Sequence, residues 1–431
     1  MMQFIYTLTP LRYFIDPLSR DEAFSFILAH KNILDIIFYT AHSHELPLYY
    51  GILHFWMVIF GTSEIAIRTV SLLFYWGTMY LLFDSMLDMF EFGYKKAAAY
   101  LFLFMVNPIL AYYAFVAGPY IQAAFFAALA FYAFHTGRKR LHLAALILGI
   151  YTHYFMLFIW ILQYVFIYRN HRKGHKHNIE KKSFHIALVA FIPWCVYILT
   201  QNVFSGFVFK FDKIHVTDLF NLPAILYTGT GLGKNFLIPT ILLSLIIITI
   251  LLIGFLKKTS EIYDRLLLWS LGAPLIIFGI SLFKPAFHPG YLLFTVPGLL
   301  LAITYSIESM KPKAKYLFLS LLVVSTLTHL GLQIAYRNRG SEAIAASLKE
   351  IAVLASDNDV VYVDRASDYF ISSYYFEENR TFISGDTYQE IPDYIGNMLI
   401  SKEKFTTQLP YYPMKAYILK KDGSYEISAA Y

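Results

Sequence analysis

The sequence contains few charged residues and almost no cysteine. Asp, Glu, Lys and Arg make up 15% of its 431 residues, whereas soluble globular domains average about 25%. A charged fraction this low argues against an ordinary soluble domain. The one cysteine, Cys195, lies within an apolar run, so the chain can form neither an internal disulfide framework nor a cysteine-rich metal site.

Apolar and aromatic residues are abundant instead. Hydrophobic residues account for 58% of the chain, aromatic residues for 18%, and the mean hydropathy is +0.52. This composition predicts an all-α polytopic membrane protein, since about 20 apolar residues span a bilayer as a helix. Ten segments are long enough, or nearly so, to be spans: 64–83, 97–113, 116–134, 141–153, 154–168, 184–200, 236–256, 265–283, 291–308 and 316–334.

The loops between these segments differ in basic residues, and this difference predicts the orientation. Sixteen Lys and Arg lie in the loops near 84–96, 135–140, 169–183, 257–264 and 309–315. The opposite loops carry only Lys210, Lys213, Lys234 and Lys284, and the N-terminal segment on that side adds Arg12, Arg20 and Lys31. The basic side is therefore expected to be cytoplasmic, in a plasma (inner) membrane. The loop around Asp21 and the C-terminal tail are then expected outside.

The chain is expected to have two parts, a membrane domain over 1–338 and a small external α/β or α+β domain over 339–431. In the tail, DNDVVYVDRASDYFISSYYF (357–376) is typical of a short strand followed by an amphipathic helix. The final MKAYILKKDGSYEISAAY (414–431) predicts a hairpin with a turn at Lys-Asp-Gly. No catalytic motif is present in the tail.

Asp21 and Glu22 open a polar stretch over 20–45, in an external loop expected to cover about 12–63. Carboxylates beside a membrane domain are costly to desolvate, so they indicate a functional site. A structural alternative is the first turn of a helix, where acidic side chains are favourable. The segment HELPLYYGILHFWMVIFG (44–61) that follows is amphipathic and aromatic, and it predicts helices lying on the membrane surface. SEIAIR (63–68) comes next, and Arg68 is expected to begin the first complete span.

Five stretches in order resemble a known family. They are DEAFS (21–25), HELPLYYGILHFWMVIFGTSEIAIR (44–68), Asn107-Pro108 followed by YYAF, YTHYF (151–155) and GYLLFTVPGLLLA (290–302). The series resembles polytopic, family-39-like glycosyltransferases of the GT-C superfamily, of the protein O-mannosyltransferase and aminoarabinose-transferase type. It covers about residues 10–310 and leaves the tail unmatched.

The resemblance implies an inverting glycosyltransferase with a polyprenyl-phosphate sugar as donor and an external lipid, glycan or protein hydroxyl as acceptor. It implies that Asp21 is the general base that activates the acceptor. Glu22 would orient the acceptor or the loop. His44, Glu45, Tyr120, His153 and Tyr291 would lie near the substrates.

The chain departs from the family pattern where the donor phosphate is expected. Arginines usually precede the tyrosines that stand here as Tyr120 and Tyr291, but this chain has 117–119 (Ala-Gly-Pro) and Gly290 before them. Lys284 and His288 lie one short loop away and are candidates to bind the phosphate in their place. Two structural alternatives remain open: Lys284 marks a membrane interface, and His288 is a solvated loop residue.

No cofactor is required by the sequence, although a divalent cation could bridge a carboxylate and a phosphate. His171, His175 and His177 resemble a metal tract, but their basic loop favours a solvated face. Two other functions stay open: a lipid-linked-sugar transporter or flippase, and a catalytically inactive relative. Because LTPLRYFIDP resembles the end of a membrane helix, the sequence is also expected to be truncated or to start internally.

Overall fold

A computed structural model describes residues 9–172, 179, 181–201, 215–229, 237–257, 260–284, 287–336, 340–389, 391 and 397–431. Most of these residues are helical. The helices are α1 (Arg12–Ile15), α2 (Arg20–His30), α3 (Ile33–His42), α4 (Pro47–Phe60), α5 (Glu64–Phe90), α6 (Tyr94–Met105), α7 (Pro108–Tyr113), α8 (Tyr120–Thr136), α9 (Lys139–Ile150), α10 (Met156–Arg172), α11 (Lys181–Thr200), α12 (Leu222–Thr228), α13 (Leu237–Leu256), α14 (Glu261–Ser281), α15 (Val296–Glu308), α16 (Pro312–Tyr336), α17 (Gly340–Leu354) and α18 (Ala366–Ser372).

The membrane domain is an integral helical bundle. Six helices in the described part of the chain are long and apolar enough to cross a bilayer: Glu64–Phe90, Lys181–Thr200, Leu237–Leu256, Glu261–Ser281, Pro289–Glu308 and Pro312–Ala335. All-α membrane architecture is thereby confirmed. The other four predicted segments coincide with shorter helices, so the count of ten spans stays a prediction.

The prediction of one continuous span over 97–113 is wrong. The helix stops at Met105 and restarts at Pro108, because proline has no backbone N–H to donate within a helix. Asn107 caps the new helix: its side chain accepts a hydrogen bond from the Leu110 N–H at 3.2 Å. Its amide nitrogen also donates to the Tyr227 carbonyl at 2.9 Å. The break sends the chain from α6 into the short α7, which ends at Tyr113.

Three short helices, α2, α3 and α4, precede the first span. Pro47 is the first residue of α4, a position where the missing N–H has no cost. Helix α4 buries Tyr49 and Leu53 but exposes Val58 and Ile59. An exposed apolar face beside a buried one is the pattern of a helix that lies in a membrane interface, as the sequence predicted.

The tail forms a four-stranded sheet in the order β2-β1-β3-β4. The strands are β1 (Val360–Val363), β2 (Thr381–Ile383), β3 (Ala416–Leu419) and β4 (Tyr425–Ser428). Strand β1 is parallel to β2 and β3, and β3 is antiparallel to β4. The strand-then-helix prediction (β1, then α18) and the hairpin prediction (β3–β4) are both confirmed. Gly423 makes the turn with φ of 87°, which glycine adopts easily.

The helical segments of the tail pack directly on α2, and α4 lies in the same apolar cluster. A single cluster of buried apolar side chains joins Leu28 and Leu53 of these helices to Leu348 and Phe370 of the tail. The C-terminal domain therefore packs against the loop that carries Asp21.

Candidate active site

Helix α2 begins with a capping box that positions both acidic residues. The Ser19 hydroxyl accepts a hydrogen bond from the Glu22 N–H, and the Glu22 carboxylate accepts one from the Ser19 N–H at 2.9 Å. Such reciprocal capping fixes the first helical turn. The structural alternative for the Asp-Glu pair is therefore realised for Glu22, and it fixes the direction of the neighbouring Asp21.

Glu22 is completely buried and every side of its carboxylate has a partner. Arg68 donates from Nε at 2.7 Å and from Nη2 at 2.9 Å, and the Ala117 N–H donates at 3.2 Å. Burial works against ionisation of Glu22, but the charge and hydrogen bonds of Arg68, with the Ser19 and Ala117 N–H groups, outweigh it and lower its pKa. Glu22 is therefore an ionised carboxylate at neutral pH, and its contacts give it a structural role.

Arg68 uses its remaining donors on the chain segment just before α2. Its Nη1 donates to the carbonyls of Phe14 at 3.3 Å and Asp16 at 2.5 Å, and its Nη2 donates to Pro17 at 3.2 Å. A buried guanidinium with five fixed donors suits this role because each donor finds an oxygen. Arg68, near the start of α5, thus fixes the position of residues 14–17, which precede Asp21 in the chain.

Asp21 differs from Glu22 in its surroundings. Its side chain is exposed to solvent although protein surrounds it on most sides. Desolvation raises its pKa above the usual value, the Glu22 charge adds to this, and the Arg20 charge opposes it. An accessible carboxylate with a raised pKa is a better proton acceptor than an ordinary aspartate.

Glu45 follows the turn that ends α3. The Glu45 N–H donates to the Thr40 carbonyl at 2.9 Å, and His44 takes the left-handed conformation with φ of 57°. This is the pattern of a Schellman helix end, where glycine is usual. His44 therefore directs Glu45 inward. Burial and the nearby Asp21 raise the pKa of Glu45 to about 7, against a hydrogen bond from the Tyr50 hydroxyl.

Aromatic and imidazole rings form the opposite wall. Tyr291 stacks on Tyr120 with ring centroids 6.0 Å apart, and it lies 5.0 Å from the His288 ring and 5.3 Å from the His153 ring. Tyr113 contacts Tyr120 edge to face at 4.9 Å. These rings come from the ends of α7 and α8, the turn after α9, and the turn before α15.

The two walls face each other. Asp21 interacts electrostatically with Glu45 and with three tyrosines of the wall. We call the whole group the acidic–aromatic cluster; its members are Asp21, Glu45, Tyr113, Tyr120, His153, His288 and Tyr291. Six of these seven were candidate residues in the sequence. Tyr113 was missed, although the YYAF stretch that contains it was noted.

The position of the absent arginine at Gly290 is occupied by a neighbour. A Cβ atom there would lie 2.2 Å from the Tyr113 hydroxyl oxygen and 2.8 Å from its ring carbon Cζ. No side chain fits without movement of Tyr113. The other arginine position falls in 117–119, where the Ala117 N–H is used by Glu22. Tyr113 thus fills the space that a side chain at position 290 would need.

Lys284 and His288, the proposed substitutes, are placed differently. His288 belongs to the cluster, and burial lowers the pKa of its imidazole to about 4, so it is neutral at pH 7. Lys284 is exposed and has no ion pair among the residues described. Within the described ranges no group of three or more His, Cys, Asp or Glu could hold a metal ion. The tract over 171–177 lies outside the described side chains.

Arg68 and Tyr50, the partners of Glu22 and Glu45, were not among the predicted site residues. Arg68 stood in the SEIAIR stretch as the start of a span, and Tyr50 stood in PLYY, but neither was assigned to a site. A pairing between residues 46 positions apart has no local signature. Only the packing of α5 against α1 and α2 brings Arg68 to Glu22.

Comparison with solved structures shows which fold this is. ArnT from Cupriavidus metallidurans, in the apo state and bound to undecaprenyl phosphate, is similar with a TM-score of 0.65, at 11% and 12% identity, over 97% of this chain and 91% of that chain. An Archaeoglobus fulgidus oligosaccharyltransferase, solved with Zn and sulfate, is similar with a TM-score of 0.50 at 12% identity, over 94% of this chain and 64% of that chain. No family model matches the sequence, and no curated protein does.

The chain therefore has the fold seen in these ArnT structures. The resemblance read from five ordered stretches is confirmed at the level of fold, including the tail, which the sequence motifs had left unmatched. At this identity, the roles of individual residues have to be argued from the geometry of the cluster.

Proposed function

We propose that the protein is an inverting glycosyltransferase that moves a sugar from a polyprenyl-phosphate donor to an external lipid, glycan or protein hydroxyl. In this reaction the acceptor oxygen bonds to the anomeric carbon while the bond to the lipid phosphate breaks. The acceptor proton passes to Asp21, and the polyprenyl phosphate leaves with the electron pair. The ArnT structure bound to undecaprenyl phosphate is consistent with a donor of this class.

The observation that carries the proposal is the division of roles between adjacent carboxylates. Glu22 has all its hydrogen-bonding capacity engaged, while Asp21 is solvent-accessible and faces the cluster. A general base needs a free lone pair within reach of the acceptor. Asp21 meets this requirement, and Glu22 stabilises the first turn of α2, which contains Asp21.

We further propose that neutral donors bind the leaving phosphate. Tyrosine hydroxyls and a neutral imidazole both donate hydrogen bonds that phosphate oxygens accept. His288, Tyr113, Tyr120 and Tyr291 supply four such groups beside Asp21. Lys284, on the exposed approach, adds positive charge at longer range. This arrangement would stabilise charge that develops on the phosphate as the bond to the sugar breaks.

The proposed orientation puts the cluster outside the cell. The sixteen basic residues of the loops near 84–96, 135–140, 169–183, 257–264 and 309–315 favour a cytoplasmic location for those loops. The cluster lies at the opposite ends of the same helices. An external site suits a donor whose sugar is presented at the outer membrane face.

The test is sugar transfer from a panel of radiolabelled polyprenyl-phosphate sugars, with purified protein in lipid nanodiscs. Asp21→Asn is expected to reduce transfer and slow donor hydrolysis to background. Asp35→Asn is the matched control, because Asp35 is also an acidic residue in the first turn of an external helix, α3, but lies outside the cluster. Loss of activity in both variants, or in neither, would contradict the role of Asp21.

Two outcomes would favour the other functions. Donor movement across the membrane without cleavage, tolerant of Asp21→Asn, would indicate a transporter. Folded wild-type protein that binds the donors without turnover would indicate an inactive relative, an alternative motivated by Tyr113 occupying the place of an arginine.

A further inference from the structure

The tail contacts helix α2 along its length. The Phe370 ring lies 5.5 Å from Phe24, and the Tyr374 ring lies 4.7 Å from Phe26, both edge to face. At the far end, Lys31 pairs with Glu378 at 3.0 Å. One face of the helix that carries Asp21 is therefore packed against a part of the chain that has no matched motif.

One tail residue reaches the first turn of α2. The carboxylate of Asp368 lies between two guanidinium groups, with Arg20 at 2.8 Å on Oδ1 and Arg365 at 2.8 Å on Oδ2. The Asp368 side chain is 4% exposed. The two arginines hold this carboxylate in place, and removing it would leave both cations without this partner.

Arg20 and Asp21 are neighbours in sequence, yet they form no ion pair among the described residues. The Arg20 guanidinium is turned toward the tail, where Asp368 takes two of its N–H donors. A guanidinium released from Asp368 could fold back on the adjacent carboxylate, since both side chains are exposed to solvent on one side. Pairing with a cation weakens a carboxylate as a base.

We propose that Asp368 is a positioning residue for the transfer reaction: it keeps the Arg20 guanidinium away from Asp21 and fixes the first turn of α2. The tail domain is then a functional part of the active site. This inference rests on the proposed function of Asp21 as base. The effect of Asp368 on the pKa of Asp21 can be measured without enzymatic turnover.

The charged and titratable groups around Asp21 enter this argument, including His153 and His288 of the acidic–aromatic cluster, whose pKa values are lowered to about 4. Arg20 and Glu22 lie on the same helix, Glu45 lies on the turn before α4, and the bundle contributes three tyrosines: Tyr113, Tyr120 and Tyr291. Asp368 and Arg365 approach Arg20 from the tail. Arg20 is thus the only cation in this set next to Asp21, and the tail controls its direction.

The first measurement is the protonation of Asp21 in the full-length protein. Carbodiimide labels the protonated acid, so labelling of Asp21 as a function of pH, read by tandem mass spectrometry, reports its pKa. In Asp368→Asn the freed guanidinium should move the labelling midpoint down by about one pH unit. Arg365→Gln is the matched control: it removes the other partner of the same carboxylate and leaves Arg20 bound, so no shift is expected.

Two further variants keep the result interpretable. The double variant R20Q/D368N has no guanidinium to release, so its midpoint should not fall below that of the wild type. Asp368→Glu keeps the charge and should restore the wild-type midpoint. An unchanged midpoint in Asp368→Asn, with helical content and thermal stability equal to those of Arg365→Gln, would overturn the proposal. So would a shift of the same size in Arg365→Gln.

Transfer assays then separate this inference from the proposed function. With an active wild type, Asp368→Asn should show an acid limb of the rate profile shifted to lower pH and a plateau rate lower by about tenfold. A labelling shift in a protein without any transferase activity would keep the effect on Asp21 but refute its role in transfer. A normal rate profile in Asp368→Asn despite a labelling shift would also refute that role.

Discussion

Glu22 and Arg68 form a double hydrogen-bonded ion pair, 2.7 and 2.9 Å long, in which both side chains are completely buried. The pair connects the first turn of the helix that carries Asp21 with the first turn of the first membrane span. Arg68 also donates hydrogen bonds to three carbonyls of the segment before α2. The geometry of the turn that carries Asp21 therefore depends on a contact that takes no part in the proposed chemistry.

Breaking this pair should destabilise the protein. Removing one partner of a buried ion pair leaves an uncompensated charge and costs about 3–5 kcal/mol. Glu22→Gln and Arg68→Met are each expected to lower the free energy of unfolding by that amount, measured by thermal or denaturant unfolding in detergent. The double variant should lose less than the sum of the two. Additive losses would show that the residues are not coupled.

The stability of the protein should depend on pH in two opposite ways. Glu22 has a lowered pKa, so its stabilisation is present above its ordinary value of 4.5 and is lost as pH falls through the folded-state pKa. Glu45 has a pKa raised to about 7, so its contribution is present below 4.5 and is lost as pH rises toward 7. Asp21, whose pKa is also raised, acts in the same direction as Glu45.

Glu45→Gln should therefore flatten the loss of stability between pH 4.5 and 7. The expected difference is on the order of 2 kcal/mol, since one pKa unit corresponds to about 1.4 kcal/mol and Glu45 is half-buried. Unfolding measured at intervals across this range, in the wild type and in Glu45→Gln, checks the prediction. A steeper loss in the variant would contradict the raised pKa of Glu45.

Substitution of Gly290 should disturb the cluster. In Gly290→Ala the new Cβ would meet the Tyr113 hydroxyl oxygen at 2.2 Å, so Tyr113 must move and transfer should fall by about tenfold or more. Tyr113→Phe removes the nearest atom and should restore part of the packing in the double variant. Gly279→Ala is the control, because a Cβ there meets nothing within 4 Å. Equal effects of the two alanines would refute the close approach.

His288 should matter more for donor use than Lys284. Loss of a hydrogen bond to a charged group costs about 1.5–3 kcal/mol, so His288→Ala is expected to lower kcat/KM for the donor by at least about tenfold. Lys284→Ala should change it by less, with an effect that weakens as salt is added, since Lys284 is exposed. The reverse order would identify Lys284 as the phosphate ligand.

Much of the site was predictable from local sequence. Asp21, Glu45, Tyr120, His153, His288 and Tyr291 stood in short motifs next to turns or helix ends, and turns at the same end of a helical bundle lie close together. The predicted span 97–113 crossed Asn107-Pro108, because apolar residues continue on both sides of the proline. The dipeptide itself did not indicate that Asp21 is exposed to solvent whereas Glu22 is buried and paired with Arg68.

The sequence by itself determined that this is a helical membrane protein, because bilayer thickness imposes the length of apolar segments and that length can be read locally. Only the tertiary structure decided which carboxylate is free, that Tyr113 fills the space of an arginine, and that Asp368 holds Arg20. These outcomes depend on contacts between residues far apart in the chain, and burial, not residue type, sets what each of those groups can do.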